Sequence, residues 1–160
     1  MPQSFAPLIN QTTKIIVVGT MPGVASLEAQ EYYAHPRNAF WKVIAALYHN
    51  GESFKDYTAK KSCLLSHNIG LWDSLQSCSR EGSLDSDIKN ACPNDFEKLL
   101  KDYPVAKLIF NGNKAFEFFK RFHKQILENI SYATMPSTSP ANATISFDEK
   151  LEKWKKALSD

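Results

Sequence analysis

At 160 residues the chain is long enough to bury one core and too short for two sizeable ones, so one domain over 1–160 is expected, with its core at about 14–155. The 43% hydrophobic and 22% charged fractions are those of an ordinary soluble protein. No apolar run reaches the roughly 20 residues a membrane helix needs, and Met1 to Asn10 lack a secretory pattern, so a cytoplasmic protein is expected. A net charge of +2 excludes any nucleic-acid partner argued from bulk charge, which leaves a local patch or backbone amides and hydroxyls. Cys63, Cys78 and Cys92 contain no Cys-x-x-Cys pair and the four histidines are scattered, so neither a disulfide framework nor a metal site is expected.

Lys14-Ile15-Ile16-Val17-Val18-Gly19 reads as a buried parallel strand stopped by glycine. A long loop rich in special residues runs from Thr20 to Pro36, and Asn38 to His49 then predicts a helix with Phe40, Ile44, Leu47 and Tyr48 on its apolar face. A second helix is expected from Phe54 to Leu65 with Ser53 as its cap, followed by a short strand at Ile69 to Asp73. Asn94 followed by Glu97 marks a helix start for a segment ending near Tyr103. Val105 to Phe110 is a third strand, and Ala115, Phe118, Phe119, Phe122 and Ile126 share one face of the next helix. A fourth strand at Ile130 to Thr134 opens into Met135-Pro136-Ser137-Thr138-Ser139-Pro140, and Ser146 with Glu149 caps a last helix carrying Leu151, Trp154 and Leu158.

Strands alternating with helices predict an α/β domain with a parallel sheet between helix layers. In such folds ligands sit beyond the carboxyl ends of the strands, so the loops after Gly19, Asp73, Asn111 and Met135 should converge on one cleft. Each loop has two readings. Gly19-Thr20-Met21-Pro22-Gly23 is either an ordinary strand-end turn or a turn that lets backbone amides approach a ligand. It is not Gly-x-Gly-x-x-Gly and no Gly-Lys-Ser/Thr follows, so both nucleotide fingerprints fail. In Tyr32-Tyr33-Ala34-His35-Pro36-Arg37-Asn38, Asn38 is either the N-cap of the next helix or one of several oriented polar groups beside stacking aromatics. Ser137 to Asn142 is either a turn-rich connection or a rigid, hydroxyl-rich finger for a phosphate backbone. The basic stretch of Lys114, Lys120, Arg121, His123 and Lys124 reads first as a solvated helix face.

Taken together, Gly-Thr-Met-Pro-Gly at 19–23, Tyr-Tyr-Ala-His-Pro-Arg-Asn-Ala-Phe-Trp at 32–41, Gly-Leu-Trp-Asp-Ser-Leu at 70–75 and Met-Pro-Ser-Thr-Ser-Pro-Ala-Asn-Ala at 135–143 resemble the uracil-DNA glycosylase superfamily, in its hypoxanthine-DNA (deoxyinosine) glycosylase branch. The resemblance implies a three-layer α/β/α sandwich around a short four-stranded parallel sheet. It implies a monomer that hydrolyses the N-glycosidic bond of a deaminated base in damaged DNA without metal or cofactor. Hypoxanthine is the expected base, with uracil or xanthine as further candidates, and the target nucleotide is flipped into a pocket. A non-catalytic DNA- or nucleotide-binding domain on the same scaffold is the alternative.

The resemblance also distributes roles. Relatives usually carry Asp or Asn before Pro-Gly in the first motif, where this chain has Met21, and a thioether neither orients water usefully nor takes its proton. The role then passes to Asn38, which is expected to orient the attacking water. Gly19, Thr20, Met21, Pro22, Gly23, Tyr33, His35, Trp72, Asp73 and Asn111 are expected around the base, with Tyr33 stacking on it. Arg37, Ser137, Thr138, Ser139, Pro140, Ala141 and Asn142 are expected against DNA. Ser137 replaces a histidine or asparagine common in relatives. Ala141 stands where they often have an intercalating leucine, so the wedge is weak or comes from a neighbour.

Overall fold

The structure, a computed structural model, describes residues 2–159. In chain order the elements are β1 (Ile15–Gly19), α1 (Val24–Ala29), α2 (Phe40–Tyr48), α3 (Tyr57–Ser66), β2 (Ile69–Asp73), β3 (Leu75–Ser79), β4 (Lys89–Pro93), α4 (Phe96–Asp102), β5 (Lys107–Asn111), α5 (Asn113–Leu127), β6 (Ser131–Met135) and α6 (Phe147–Ser159). The β-branched run of β1 is buried on both faces, as a central parallel strand requires. It pairs with β2 on one side and β5 on the other, and β6 joins outside β5, which gives the parallel order β2-β1-β5-β6.

The pleat sorts the core into two halves. Val17, Ile69, Leu71 and Ile109 point to one face, where Phe40, Ile44, Leu64 and Trp154 from α2, α3 and α6 cover them. Ile16, Val18, Leu108 and Phe110 point to the other, against Phe96 and Leu99 of α4 and Ala115 and Phe119 of α5. Helices on both faces of a four-stranded parallel sheet make the expected α/β/α sandwich.

Several boundaries differ from the sequence reading. The helix expected from Phe54 starts at Tyr57, because Asp56 rather than Ser53 accepts from the Ala59 amide, at 2.8 Å. The cap of α4 is Asp95, which accepts from Lys98 N at 3.1 Å. Asn94 turns inward, where its Nδ2 donates to Asp73 O at 2.8 Å and Leu75 O at 3.1 Å. The Ser146 cap of α6 is present, with its hydroxyl 3.2 Å from Glu149 N.

Three elements were not foreseen. Helix α1 is one short turn beyond the first motif. Strands β3 and β4 form an antiparallel hairpin with two register shifts, where the sequence suggested only a polar loop. Their partners, Leu75-Gln76-Ser77-Cys78-Ser79 and Lys89-Asn90-Ala91-Cys92-Pro93, lack a sustained apolar alternation, so pattern alone could not pair them.

Phe96 is fully buried and touches Trp72, Phe119 and His123 at ring centroid distances of 4.7, 4.9 and 5.7 Å. Phe96→Ala is expected to lower the unfolding free energy by about 3–5 kcal/mol, read from urea denaturation.

Candidate active site

The carboxyl ends of the four parallel strands open into one cavity of about 450 Å³. Gly19, Asp73, Asn111 and Ser137 all line it, so the post-strand loops do converge. The loop Thr20 to Gly23 forms one wall, with Met21 and Pro22 buried and Met21 turned toward Leu75 and Cys78. Leu75 N holds this loop through Thr20 O at 3.2 Å, and Ser74 N holds Gly19 O at 2.7 Å. A Cβ on Gly19 would collide with Asp73 Oδ1 and come within 3.1 Å of the Tyr33 hydroxyl, so only glycine fits there.

Tyr33 is held at φ +56, a left-handed conformation uncommon for a bulky side chain and one that recurs at functional sites. One face of its ring lies on Phe40, with centroids 4.4 Å apart. Burial, and next the charge of Asp73, push its phenol well above the usual tyrosine range. The neighbouring Tyr32 is structural: its hydroxyl donates to Ala6 O at 2.9 Å, and its carbonyl accepts from Trp41 Nε1 at 2.8 Å.

His35 to Asn38 is a turn, closed by Asn38 N on His35 O at 2.9 Å. Arg37 N donates to His35 Nδ1 at 3.0 Å, which fixes the imidazole. Asn38 is not the N-cap of α2 in the strict sense, since Ala39 occupies that position. Its Oδ1 nevertheless accepts from Phe40 N at 2.9 Å, which locks the amide while leaving it at the cavity wall. The Asn38 side chain thus serves the first turn of α2 and stands at the cavity wall at the same time.

On the far wall Asn111 and Thr138 form a closed pair. Asn111 Nδ2 donates to Thr138 Oγ1 at 2.9 Å, and Thr138 N donates to Asn111 Oδ1 at 2.9 Å. Thr138 O then accepts from Ala39 N at 2.9 Å, which ties this loop to the turn carrying Asn38. The rest of the loop is braced by Ser139 N on Ser137 Oγ, Ala141 N on Ser139 Oγ and Asn142 Nδ2 on Ser137 O. From below, Trp154 Nε1 donates to Pro136 O, and the buried Lys150 donates to Asn142 O at 2.8 Å. Burial pushes the Lys150 ammonium below the usual lysine range.

One residue expected around the base lies elsewhere. Trp72 alternates to the opposite side of the sheet from a cavity position, packs on Phe96 and donates to Phe5 O at 3.1 Å, so it does not line the cavity. Its neighbour Asp73 does, because successive strand residues point to opposite faces. Arg37, expected against DNA rather than around the base, is exposed between His35 and Asn38, outside the cavity lining.

Asp73 is the most unusual group in the site. It is 3% exposed, and its Oδ2 has no hydrogen-bond partner among the described residues. Burial, then the charge of Asp85, push its carboxyl up to about 7, with Arg80 opposing. Asp85 and Arg80 come from the β3–β4 hairpin, and sequence reasoning missed both. Arg80 has a buried side chain that donates to Pro22 O and lies 3.5 Å from Asp85 Oδ1. Asp85 lines the cavity. Its carboxyl is raised by burial against the opposing effects of the Thr20 hydroxyl, Arg80 and Lys114. The only signal in the sequence was an arginine and aspartates inside a Gly/Ser-rich stretch, which reads as a solvated loop unless the hairpin is known.

A parallel α/β/α sandwich with this cleft at its strand ends defines the class of the protein. The chain belongs to the uracil DNA glycosylase superfamily, whose sequence profile matches residues 6–160. It is 37% identical over 155 residues to a hypoxanthine DNA glycosylase of Methanosarcina acetivorans, covering 94% of each chain. It is 33% identical over 159 residues to a hypoxanthine DNA glycosylase of Methanosarcina barkeri, covering 98% of this chain and 97% of that one. It also superposes with a TM-score of 0.82 and 30% identity on the solution NMR structure of a Methanosarcina acetivorans protein provisionally assigned as a uracil DNA glycosylase, covering 98% of this chain and 95% of that one. No helix among the described residues is long and apolar enough to cross a membrane.

The raised Asp73 carboxyl makes a signed prediction about stability. The folded chain holds this proton more tightly than the unfolded chain, where the value is 3.8, so the contribution of Asp73 is fully present below that pH and is lost as pH rises through about 7. Asp73→Asn is therefore expected to be more stable than wild type at high pH, by on the order of 2–4 kcal/mol, and to lose that advantage toward about pH 4. Paired urea titrations across that range measure it, and a difference independent of pH would show that Asp73 is not held protonated.

Proposed function

We propose that the chain is a monofunctional DNA glycosylase that excises hypoxanthine from deoxyinosine in duplex DNA and leaves an abasic site. The observation that carries this reading is Asp73: a buried carboxyl with a free oxygen at the floor of a base-sized cavity. A carboxyl near half protonation at neutral pH offers both an O–H donor and an acceptor. Hypoxanthine presents acceptors at O6 and N7 and a donor at N1. A protonated Asp73 donates to the former, and its carbonyl oxygen accepts from the latter. The relatives named for hypoxanthine excision support the same base.

In this reading the target nucleotide is flipped into the cavity and its base slides between Tyr33 and the Met21–Pro22 wall. Stacking on an aromatic ring contributes roughly 1–3 kcal/mol per base. Met21 supplies an apolar wall and no water-positioning group. Asn38 takes that role. Its rotamer is set by the Phe40 amide, and its dipole orients water toward C1′ as the glycosidic bond breaks. The amide is no base at neutral pH, so the proton leaves to solvent or to the departing purine. His35, Thr20 and Gly23 close the wall, while Ser137 to Asn142 and Arg37 engage the DNA backbone around the lesion. The cavity is lined by residues of one chain, which supports action as a monomer.

Duplexes carrying inosine, uracil or xanthine, incubated with the protein and then treated with alkali, test the reaction directly. Strand breaks at inosine are expected, whereas binding without breaks on every lesion would instead mark a non-catalytic binding domain. Asn38→Ala is expected to slow single-turnover excision by about 10²–10³, with the fold unchanged by circular dichroism. Near-normal rates would remove Asn38 from the mechanism. Tyr33→Ala is expected to weaken binding to inosine duplex more than binding to undamaged duplex, and equal losses would make Tyr33 a packing residue only.

A further inference from the structure

Base excision from a duplex leaves a gap in the stack, and a flipped base returns quickly unless something fills it. Ala141 is exposed at the rim of the cavity but is too small to occupy a base-sized gap. Among the described residues, the large apolar side chains left exposed are Val24, Leu84, Tyr132 and Phe147. Two of these, Val24 and Leu84, line the mouth of the catalytic cavity. Leu84 is the most exposed of the four, at 53%, and stands in the connection between β3 and β4.

An isolated exposed leucine is ordinarily without meaning. The backing of this one is not ordinary. On its N-terminal side, Ser83 Oγ accepts from Val24 N at 2.9 Å and Ser83 O lies 3.5 Å from Arg80 Nη1. On its C-terminal side, Asp85 is paired with the buried Arg80. The Leu84 carbonyl itself accepts from Asp87 N at 3.1 Å, closing a short 3₁₀ turn. The residues on both sides are thus tied down, Ser83 to the start of α1 and Asp85 through Arg80 to Pro22 O, while the Leu84 side chain is left in water. That is an arrangement for inserting an apolar group at a defined place, with little ordering left to do on binding.

We propose that Leu84 is the wedge of this protein. It enters the duplex from the β3–β4 hairpin as the target nucleotide leaves the stack, and so takes over what Ala141 cannot do. The inference rests on the base-flipping reading above. Val24, at the start of α1, flanks it on the same rim and widens the apolar contact.

The test uses the full-length chain and reads unstacking separately from chemistry. A duplex carrying inosine with 2-aminopurine as its 3′ neighbour is expected to brighten on binding wild type, and to brighten much less with Leu84→Ala. In single-turnover assays Leu84→Ala is expected to lose on the order of tenfold or more on the inosine duplex, with little loss on the same strand unpaired. A bulky aromatic nucleotide opposite inosine, which displaces the base on its own, should restore the duplex rate. Leu84→Met should behave as wild type, and Tyr132→Ala, whose exposed ring lies outside the cavity, controls for loss of any exposed apolar side chain. Equal losses of Leu84→Ala on paired and unpaired strands, or no loss on either, would overturn the wedge. Wild type that brightens the duplex but cuts nothing would overturn the excision reading and leave the wedge standing.

Discussion

The geometry of the cleft depends on the reciprocal hydrogen bonds between Asn111 and Thr138. Both side chains are buried, and each satisfies the other's donor or acceptor where no solvent can compete. Asn111 ends β5 near the middle of the sheet, and Thr138 sits beyond β6 at its edge. The pair therefore transmits the rigidity of the sheet to a loop that would otherwise be free. From Thr138 the chain of constraint continues through its carbonyl to Ala39, and from there to the turn that displays Asn38. Removing either partner strands the other's polar atoms in the interior, so the cost falls on the active-site geometry as much as on stability.

The same pair fixes Asn111, expected from the sequence around the base. It lines the cavity, and its bonds to and from Thr138 set where its amide stands. Asn38 shows the reverse. A helix-start asparagine was legible as a cap, and its oxygen does serve the first turn of α2, but the same bond fixes an amide at the cavity wall. In both residues one hydrogen bond carries a structural and a chemical consequence together.

Three strands of the parallel sheet, β1, β2 and β5, were legible because they are short β-branched or apolar runs ended by Gly, Asp or Asn, the mark that burial on both faces leaves. Strand β6 is a more exposed edge strand without it. The loops were legible because turn chemistry concentrates Gly, Pro, Ser and Asn where strands end. What could not be read was the hairpin. Its strands are too polar to show period-2 alternation, its register is broken twice, and its cysteines and serines carry no pairing signal. Trp72 was misplaced for a related reason. A motif names neighbours in the chain, and a strand sends neighbours to opposite faces, so Asp73 reaches the cavity while Trp72 is committed to the core beside Phe96.

The hairpin is where the site departs furthest from what its motifs suggest. Inward, it sends Arg80 beneath the first-motif loop and Asp85 to the cavity, and Asp85 adds to the burial that keeps the Asp73 carboxyl from ionising. Outward, it carries Leu84 into solvent at the cavity mouth. A carboxyl cluster is unfavourable while it is ionised, and burial resolves that conflict by favouring the neutral form at the cavity wall, where the proposed reading puts the base. Arg80 limits the effect, because its nearby positive charge favours the ionised form against burial. The balance between burial and that one guanidinium sets how a single carboxyl can meet both kinds of polar edge on one base. It does so from an element that none of the recognisable motifs contains.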